Sequence, residues 1–275
     1  SNAAELIKLQ QSKGGSSTTE AGALLYLSNN GYYPANKILN NIVTDGLVVN
    51  LDSRTATSYP RSGTNWLDLS GEGNDSSLIN SPTFNSNGFL EFDGVNDYVS
   101  LPSSIATALN GGTEASVCIW IKLNNQSNGV GDTGIIQLSG YTSGNGNLYF
   151  YSNGYTYLDI FRTSRVEQVF LNSSVKATYW HLLTVTTTSG TNGWKCYINN
   201  TLKKQATGDS TVSVNNSIHG GLSLGENSGG RYTYGDIASC YIYDKALTIS
   251  EINQNYYQGP IVTNNLVFAL DASNL

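Results

Sequence analysis

Short apolar runs separated by turn residues fill this chain, and that pattern leaves room for little but antiparallel β-structure. From Leu47 onward come LVVNLD, FLEF, DYVSL, SVCIWIKL, GIIQL, LYFY, YLDIF, WHLLTVT, WKCYI, TLKKQ, LSLG and IASCYIY. Each is four to eight residues long and is bounded by Gly, Asn, Ser or Pro. About a dozen strands are too many for an immunoglobulin sandwich and suit a jelly roll of two antiparallel sheets. One helix stands out among them. Thr248-Ile-Ser-Glu251 has the spacing of a capping box, INQNYY follows, and Gly259-Pro260 ends it. The expectation is an all-β, two-sheet antiparallel jelly-roll sandwich with one short C-terminal helix.

A second signal concerns organisation. Ile42-Val-Thr-Asp-Gly-Leu-Val-Val-Asn-Leu-Asp52 returns as Ile261-Val-Thr-Asn-Asn-Leu-Val-Phe-Ala-Leu-Asp271, with seven of eleven positions identical. A fixed internal period marks a modular array. The reading is a module over 42–260, with 261–275 the first strand of a second, truncated one. Residues 1–3 read as a tag scar. Residues 4–41 read as a helical or extended leader, in which AELIKLQQ and the capping-box spacing Ser17-Thr-Thr-Glu20 favour short helices.

Composition narrows the function. Charged residues are 12% of the chain and the net charge is −6. Nucleic-acid backbones and anionic membrane surfaces call for clustered Lys and Arg, so both are disfavoured as partners. No apolar run approaches the roughly 18 residues of a membrane span. Cys118, Cys196 and Cys240 each lie inside an apolar run and match no zinc or redox spacing, so they read as buried reduced thiols. A chain made in a reducing cytosol fits that pattern.

The hairpin around Asn153-Gly154 carries a register argument. A three-residue loop, Ser152-Asn153-Gly154, sets Tyr149 opposite Tyr157 and Tyr151 opposite Tyr155, and groups Leu148 and Phe150 with Leu158. A one-residue slip would mix the two sets. This register leaves Tyr149, Tyr151, Tyr155 and Tyr157 with Asp159 on one face. Aromatic rings stack on the apolar faces of sugars, so these five are glycan-binding candidates, with Arg231 and Tyr232 (in Arg231-Tyr232-Thr-Tyr234) a second cluster. Cross-strand aromatic pairing that only stabilises the sheet is the competing reading.

Several motifs in order now resemble a known family. Thr64-Asn-Trp-Leu-Asp-Leu-Ser-Gly-Glu-Gly-Asn74 precedes Phe92-Asp-Gly-Val-Asn-Asp-Tyr-Val99. Cys118-Ile-Trp-Ile121, Trp180-His-Leu-Leu-Thr-Val185, Cys196-Tyr-Ile-Asn-Asn200 and Ile242-Tyr-Asp-Lys-Ala-Leu-Thr248 follow. Over about 45–258 the chain resembles the laminin-G-like jelly roll of the concanavalin A-like lectin/glucanase superfamily. The stretches Leu47–Asn74 and Ile242–Tyr256 resemble modules of tailed-phage virion proteins. Much of this signature answers to folding alone. Trp66 and Leu67 can plug one end of a sandwich, Gly94 permits a turn, and Trp120, Trp180 and Trp194 suit a core.

The resemblance also implies where chemistry would sit. Laminarinase-like glycosidases of the superfamily carry an E-x-D-x-x-E strand whose outer carboxylates serve as nucleophile and acid. The nearest string here is Glu91-Phe-Asp-Gly-Val-Asn96, which lacks the second Glu, so a non-enzyme is expected. Related modules hold calcium at the rim of the sandwich, which makes Asp93, Asp97 and Asp236 candidate Ca2+ ligands. An EF-hand start at Asp68-x-Ser70-x-Glu72-Gly73 fails because its twelfth position is Ile79. The sequence reading is a non-enzymatic phage virion structural module, a tail fibre or capsid-surface protein. It would be surface-exposed on the virion and would contact other virion proteins, copies of itself or a host-surface glycan. A carbohydrate-binding module of a bacterial surface or secreted protein is the alternative, and a laminarinase-like hydrolase the third.

Overall fold

The structure is a computed structural model. It describes residues 16, 42–124, 133–138, 147–150, 156–158, 166–168, 179–209, 212, 222–227 and 230–258. The chain divides into two compact units, one of residues 44–249 and one of residues 1–43 with 250–275. The expected leader helices, the strand at 261–275, Tyr151, Tyr155 and Asp159 lie outside the described residues.

The larger unit is a β-sandwich. Its strands are β1 (Leu47–Asp52), β2 (Asn65–Trp66), β3 (Ser76–Ile79), β4 (Thr83–Asn85), β5 (Phe89–Asp93), β6 (Tyr98–Leu101), β7 (Ala115–Leu123), β8 (Thr133–Gln137), β9 (Asn147–Phe150), β10 (Thr156–Leu158), β11 (Val166–Gln168), β12 (Trp180–Thr187), β13 (Gly190–Ile198), β14 (Thr201–Gly208), β15 (Leu222–Leu224), β16 (Glu226–Asn227), β17 (Arg231–Tyr232) and β18 (Tyr234–Tyr243). One sheet runs β14-β13-β12-β7-β18-β5-β4, with β1 also on β18. The other runs β11-β10-β9-β8-β15-β6-β3-β2, and β16 pairs only with β17. Every pairing among the described residues is antiparallel. The expected two-sheet antiparallel sandwich is therefore the observed one.

Strand β18 organises the first sheet. One flank pairs with β7; the other pairs first with β5, from Tyr234↔Asp93 to Ile237↔Leu90, and then with β1 up to Tyr243↔Leu47. The change of partner falls at a bulge between Ile237 and Ser239. There the Ser53 N–H and hydroxyl both donate to the Ala238 carbonyl, at 3.0 and 2.9 Å. These bonds satisfy a carbonyl that the interrupted ladder would strand.

The core lies between the sheets. Val117, Ile119 and Ile121 of β7, with Leu90, Ile237 and Ile242, belong to one buried cluster with Leu78, Val99, Ile136 and Leu224 of the second sheet. Trp66, Trp120 and Trp194 are buried as expected, whereas Trp180, also expected in the core, is only partly buried, and Leu67 is 36% exposed and plugs nothing. The three cysteines are free and buried, and burial pushes the Cys196 thiol up to about 12. A helix α1 (Ser104–Leu109) is not among the expected elements. Six residues are too few for a helical period to register in sequence. Its Ile105 and Leu109 are buried in the core.

The C-terminal helix α2 (Ile249–Tyr257) starts directly after Thr248, as the capping-box spacing predicts. Most of it belongs to the smaller unit. Within that unit its buried Asn255 accepts the Val43 N–H through Oδ1 at 2.9 Å, across 212 residues of chain. No helix among the described residues is long and apolar enough to cross a membrane.

Candidate ligand-binding pocket

Strand register builds the site. Trp180 pairs with Lys122, Lys122 with Asp236, Asp236 with Glu91, and Glu91 with Thr83, giving one row across five strands of the first sheet. The neighbouring row holds Ile121, Ile237 and Leu90, which are core residues. Alternation along the pleat turns the polar row to the opposite face. Beyond it Tyr234 pairs with Asp93, and the Asn124 N–H donates to the Tyr234 carbonyl at 3.0 Å. Together these strand ends line an open pocket of about 430 Å³, with Asp97 from the β5–β6 turn in its wall.

The turn is shaped by Gly94, whose φ of +76° is open to glycine and strained for other residues. A Cβ on Gly94 would also stand 2.8 Å from the Tyr234 Cβ, so its bareness lets the aromatic ring sit against the turn. Asp93 Oδ1 caps this turn by accepting the Val95 and Asn96 N–H groups at 2.8 and 3.3 Å. Tyr234 is 36% exposed at the pocket's edge.

Four carboxylates, Glu91, Asp93, Asp97 and Asp236, face one ammonium, Lys122. Lys122 Nζ lies 2.5 Å from Asp236 Oδ2 and also 4.8 Å from the ring centre of Phe89 and 5.5 Å from that of Trp180. That cation is fully engaged. Asp97 and Asp236 are each only 5% exposed. Asp97 Oδ2 accepts the Asp93 N–H at 3.2 Å, and its Oδ1 takes no hydrogen bond among the described residues; nor does Asp236 Oδ1. Burial raises the pKa of Asp97, opposed by the Asp93 N–H. It raises that of Asp236 too, opposed by Lys122.

The predicted calcium ligands Asp93, Asp97 and Asp236 do meet in this pocket. They do not make a metal centre: among the described residues no three of His, Cys, Asp and Glu are arranged to hold an ion. The Lys122 ammonium stands against Asp236 where a divalent ion would have to compete with it. The residues present do not fit calcium. Sequence reasoning missed Lys122, Thr83 and Asn124 as lining residues. Only strand register joins them, and the one local hint is Lys122, a lone charge ending the apolar run SVCIWIKL.

The other candidates fall elsewhere. Tyr149 is the register partner of Tyr157, and Leu148 of Leu158, as the three-residue loop requires. Glu167 extends the tyrosine row on β11, and Gly134 of β8 stands beside Tyr149. Tyr232 lies 6.4 Å from Tyr98, ring to ring, and Arg231 pairs with Asn227 in the β16–β17 ribbon. Between Tyr232 and Tyr234, the Thr233 hydroxyl donates to the Gly134 carbonyl at 2.5 Å, anchoring the pocket's tyrosine strand beside the strand that carries Tyr149.

Two antiparallel sheets of eight strands, with polar groups gathered at strand ends, fit a concanavalin A-like sandwich. A laminin-G family model of the concanavalin A-like lectin/glucanases superfamily matches residues 93–253, and the chain belongs to that superfamily. No match to a curated protein was found. Among solved structures, the chain is similar to the receptor binding domain of a botulinum neurotoxin C/D mosaic serotype (TM-score 0.57, 19% identity, 78% of this chain and 52% of that one). It is also similar to the botulinum neurotoxin serotype D ligand binding domain in complex with N-acetylneuraminic acid (0.57, 18%, 78% and 52%). A third is Trypanosoma rangeli sialidase in complex with sialic acid (0.55, 12%, 78% and 33%). The chain thus spans about half the length of the first two and a third of the last. At these identities the likeness is one of fold.

Proposed function

We propose that this chain is a non-catalytic carbohydrate-binding module that attaches its parent protein to a glycan-bearing surface. The observation that carries the reading is the pocket itself. It is open, of the size of a small-molecule site, and walled by nearly buried carboxylates with unused oxygens beside an exposed tyrosine. Two of the proteins similar in fold, over about a third and a half of their length, are solved in complex with a sialic acid. Catalysis finds no support in the motif nearest to the glycosidase pattern. Strand β5 stops at Asp93, Gly94 turns the chain, and position 96 is Asn, so a second carboxylate five residues after Glu91 is missing from that strand.

The setting in which the module works is a finer proposal. The motifs of Leu47–Asn74 and Ile242–Tyr256 favour the surface of a tailed-phage virion, with neighbouring virion proteins as partners and a host glycan as the receptor. Immunogold labelling of purified particles tests it, and label confined to a cell envelope points to the bacterial alternative. For binding itself, a glycan array probed with the full chain and with Tyr234→Ala is decisive. The wild type gives a defined set of signals, and the variant loses them while its melting temperature changes little. Signals that survive Tyr234→Ala but vanish in Tyr149→Ala/Tyr157→Ala move the site to the tyrosine row. An empty array for the wild type overturns the reading.

A further inference from the structure

The wall of the pocket has a charge character that selects among sugars. Resting on the carbohydrate reading above, we propose that the pocket takes an uncharged saccharide and rejects sugar acids. Four carboxylates line it against a single ammonium. That ammonium is committed to Asp236 at 2.5 Å and to the faces of Phe89 and Trp180. Among the described residues no lining cation is left to receive the carboxylate of an incoming sugar acid, and like charges at close range disfavour it.

A neutral sugar meets the opposite situation. Ionised carboxylates only accept hydrogen bonds, and sugar hydroxyls donate them. Asp97 and Asp236 are 5% exposed, yet each keeps one oxygen without a partner among the described residues. Neither spare oxygen is among the fully buried, unpartnered atoms of the described residues, so both reach the open pocket, where a ligand's hydroxyls can donate to them. Hydrogen bonds to a charged acceptor are the strong ones. Asn124 and Thr83 add neutral donors, and Tyr234, 36% exposed beside the turn, offers a ring to a sugar's C–H face. A site built to accept from hydroxyls discriminates against ligands that lack donors or bring their own anion.

The test is titration calorimetry of the full chain at neutral pH against methyl glycosides of glucose, galactose and N-acetylglucosamine, and against N-acetylneuraminic and glucuronic acids. At least one neutral ligand is expected to bind, with the acids at least tenfold weaker. Tyr234→Ala should weaken the neutral ligand tenfold or more. Glu91→Gln, which keeps the 2.7 Å acceptor for the Asn85 amide, should narrow the gap between neutral and acidic sugars severalfold. A sugar acid that binds as well as the neutral ligands, and is lost in Tyr234→Ala, overturns the charge selection and leaves the glycan reading intact. Neutral binding that is indifferent to both substitutions puts the sugar elsewhere and overturns the assignment to this pocket. Absence of binding to any sugar, on calorimetry and array alike, sinks both. Circular dichroism of each variant separates lost binding from lost folding, and Asn124→Ala offers a second lining change should Tyr234→Ala fail to fold.

Discussion

At Asp68 both carboxylate oxygens are consumed by the fold: Oδ1 accepts the N–H groups of Asn50 and Ser70 at 2.8 and 2.9 Å, and Oδ2 accepts the Asn74 N–H at 3.0 Å and the Ser70 hydroxyl at 2.5 Å. Asn74 then passes the hold on, its side-chain amide donating to the Val48 carbonyl at 2.8 Å. At the pocket, Asp97 and Asp236 are more deeply buried than Asp68, yet each leaves an oxygen unused. Both regions carry family motifs, and both look from sequence like places for a cation. The difference is satisfaction. The Asp68 loop is closed on itself and clamps a loop to β1, so it has no valence left for a ligand. The pocket wall keeps two acceptor oxygens open to one.

Asp68→Ala gives the largest expected effect. It strands four donors, three of them backbone, and removal of a hub of this kind typically costs about 2–4 kcal/mol. Urea unfolding should show a lower midpoint with an unchanged slope, while sugar binding by the remaining folded protein persists. Loss of binding with full stability would reverse the roles assigned to the two regions.

Gly94→Ala comes next. A residue other than glycine at a φ of +76° is strained, by about 1 kcal/mol. The added methyl would also stand 2.8 Å from the Tyr234 Cβ, forcing the turn or the ring to move. A loss of about 1–2 kcal/mol with weakened binding is expected. If binding is untouched, Tyr234 is not part of the sugar's contact surface.

Much of this contrast is legible in the amino-acid sequence alone, and the rest is hidden for a physical reason. Strand runs are local, so β1, β5, β7 and β18 can be read from alternation and turn residues. The turn at Gly94 and the start of α2 after Thr248 are equally local. Short elements such as α1 and the two-residue β2 carry too little pattern to be seen. The pocket is half visible, because Asp93, Asp97 and Asp236 can be chosen as acids of a motif. Their true neighbours, Lys122 and Asn124 at the end of β7 and Thr83 on β4, come from strands whose order in the sheet no local pattern encodes. Lys122 is the residue that decides the matter, since its ammonium against Asp236 turns an apparent calcium site into something else.

The smallest effect, and the sharpest on the comparison, is expected from Asp97→Asn. Burial raises the Asp97 pKa above its ordinary value near 3.8, so the native state prefers the neutral carboxyl more than the unfolded chain does. The stability that this preference contributes is fully present below the unfolded pKa and is lost as pH rises through the folded one. At neutral pH the ionised side chain therefore weakens the fold. Asparagine is nearly isosteric, carries no charge and can still accept the Asp93 N–H through its own oxygen. The variant should be as stable as wild type or slightly more so at pH 7, by less than about 1 kcal/mol. The gap should close as pH falls below the unfolded value. Thermal melts of both proteins from pH 3 to 8 measure this directly, and sugar binding should weaken in the variant across the upper part of that range. A residue whose replacement stabilises the fold and impairs binding is held for its ligand. If Asp97→Asn instead lowers the melting temperature at neutral pH, then Asp97 is a structural clamp like Asp68, and the distinction drawn between the two regions fails.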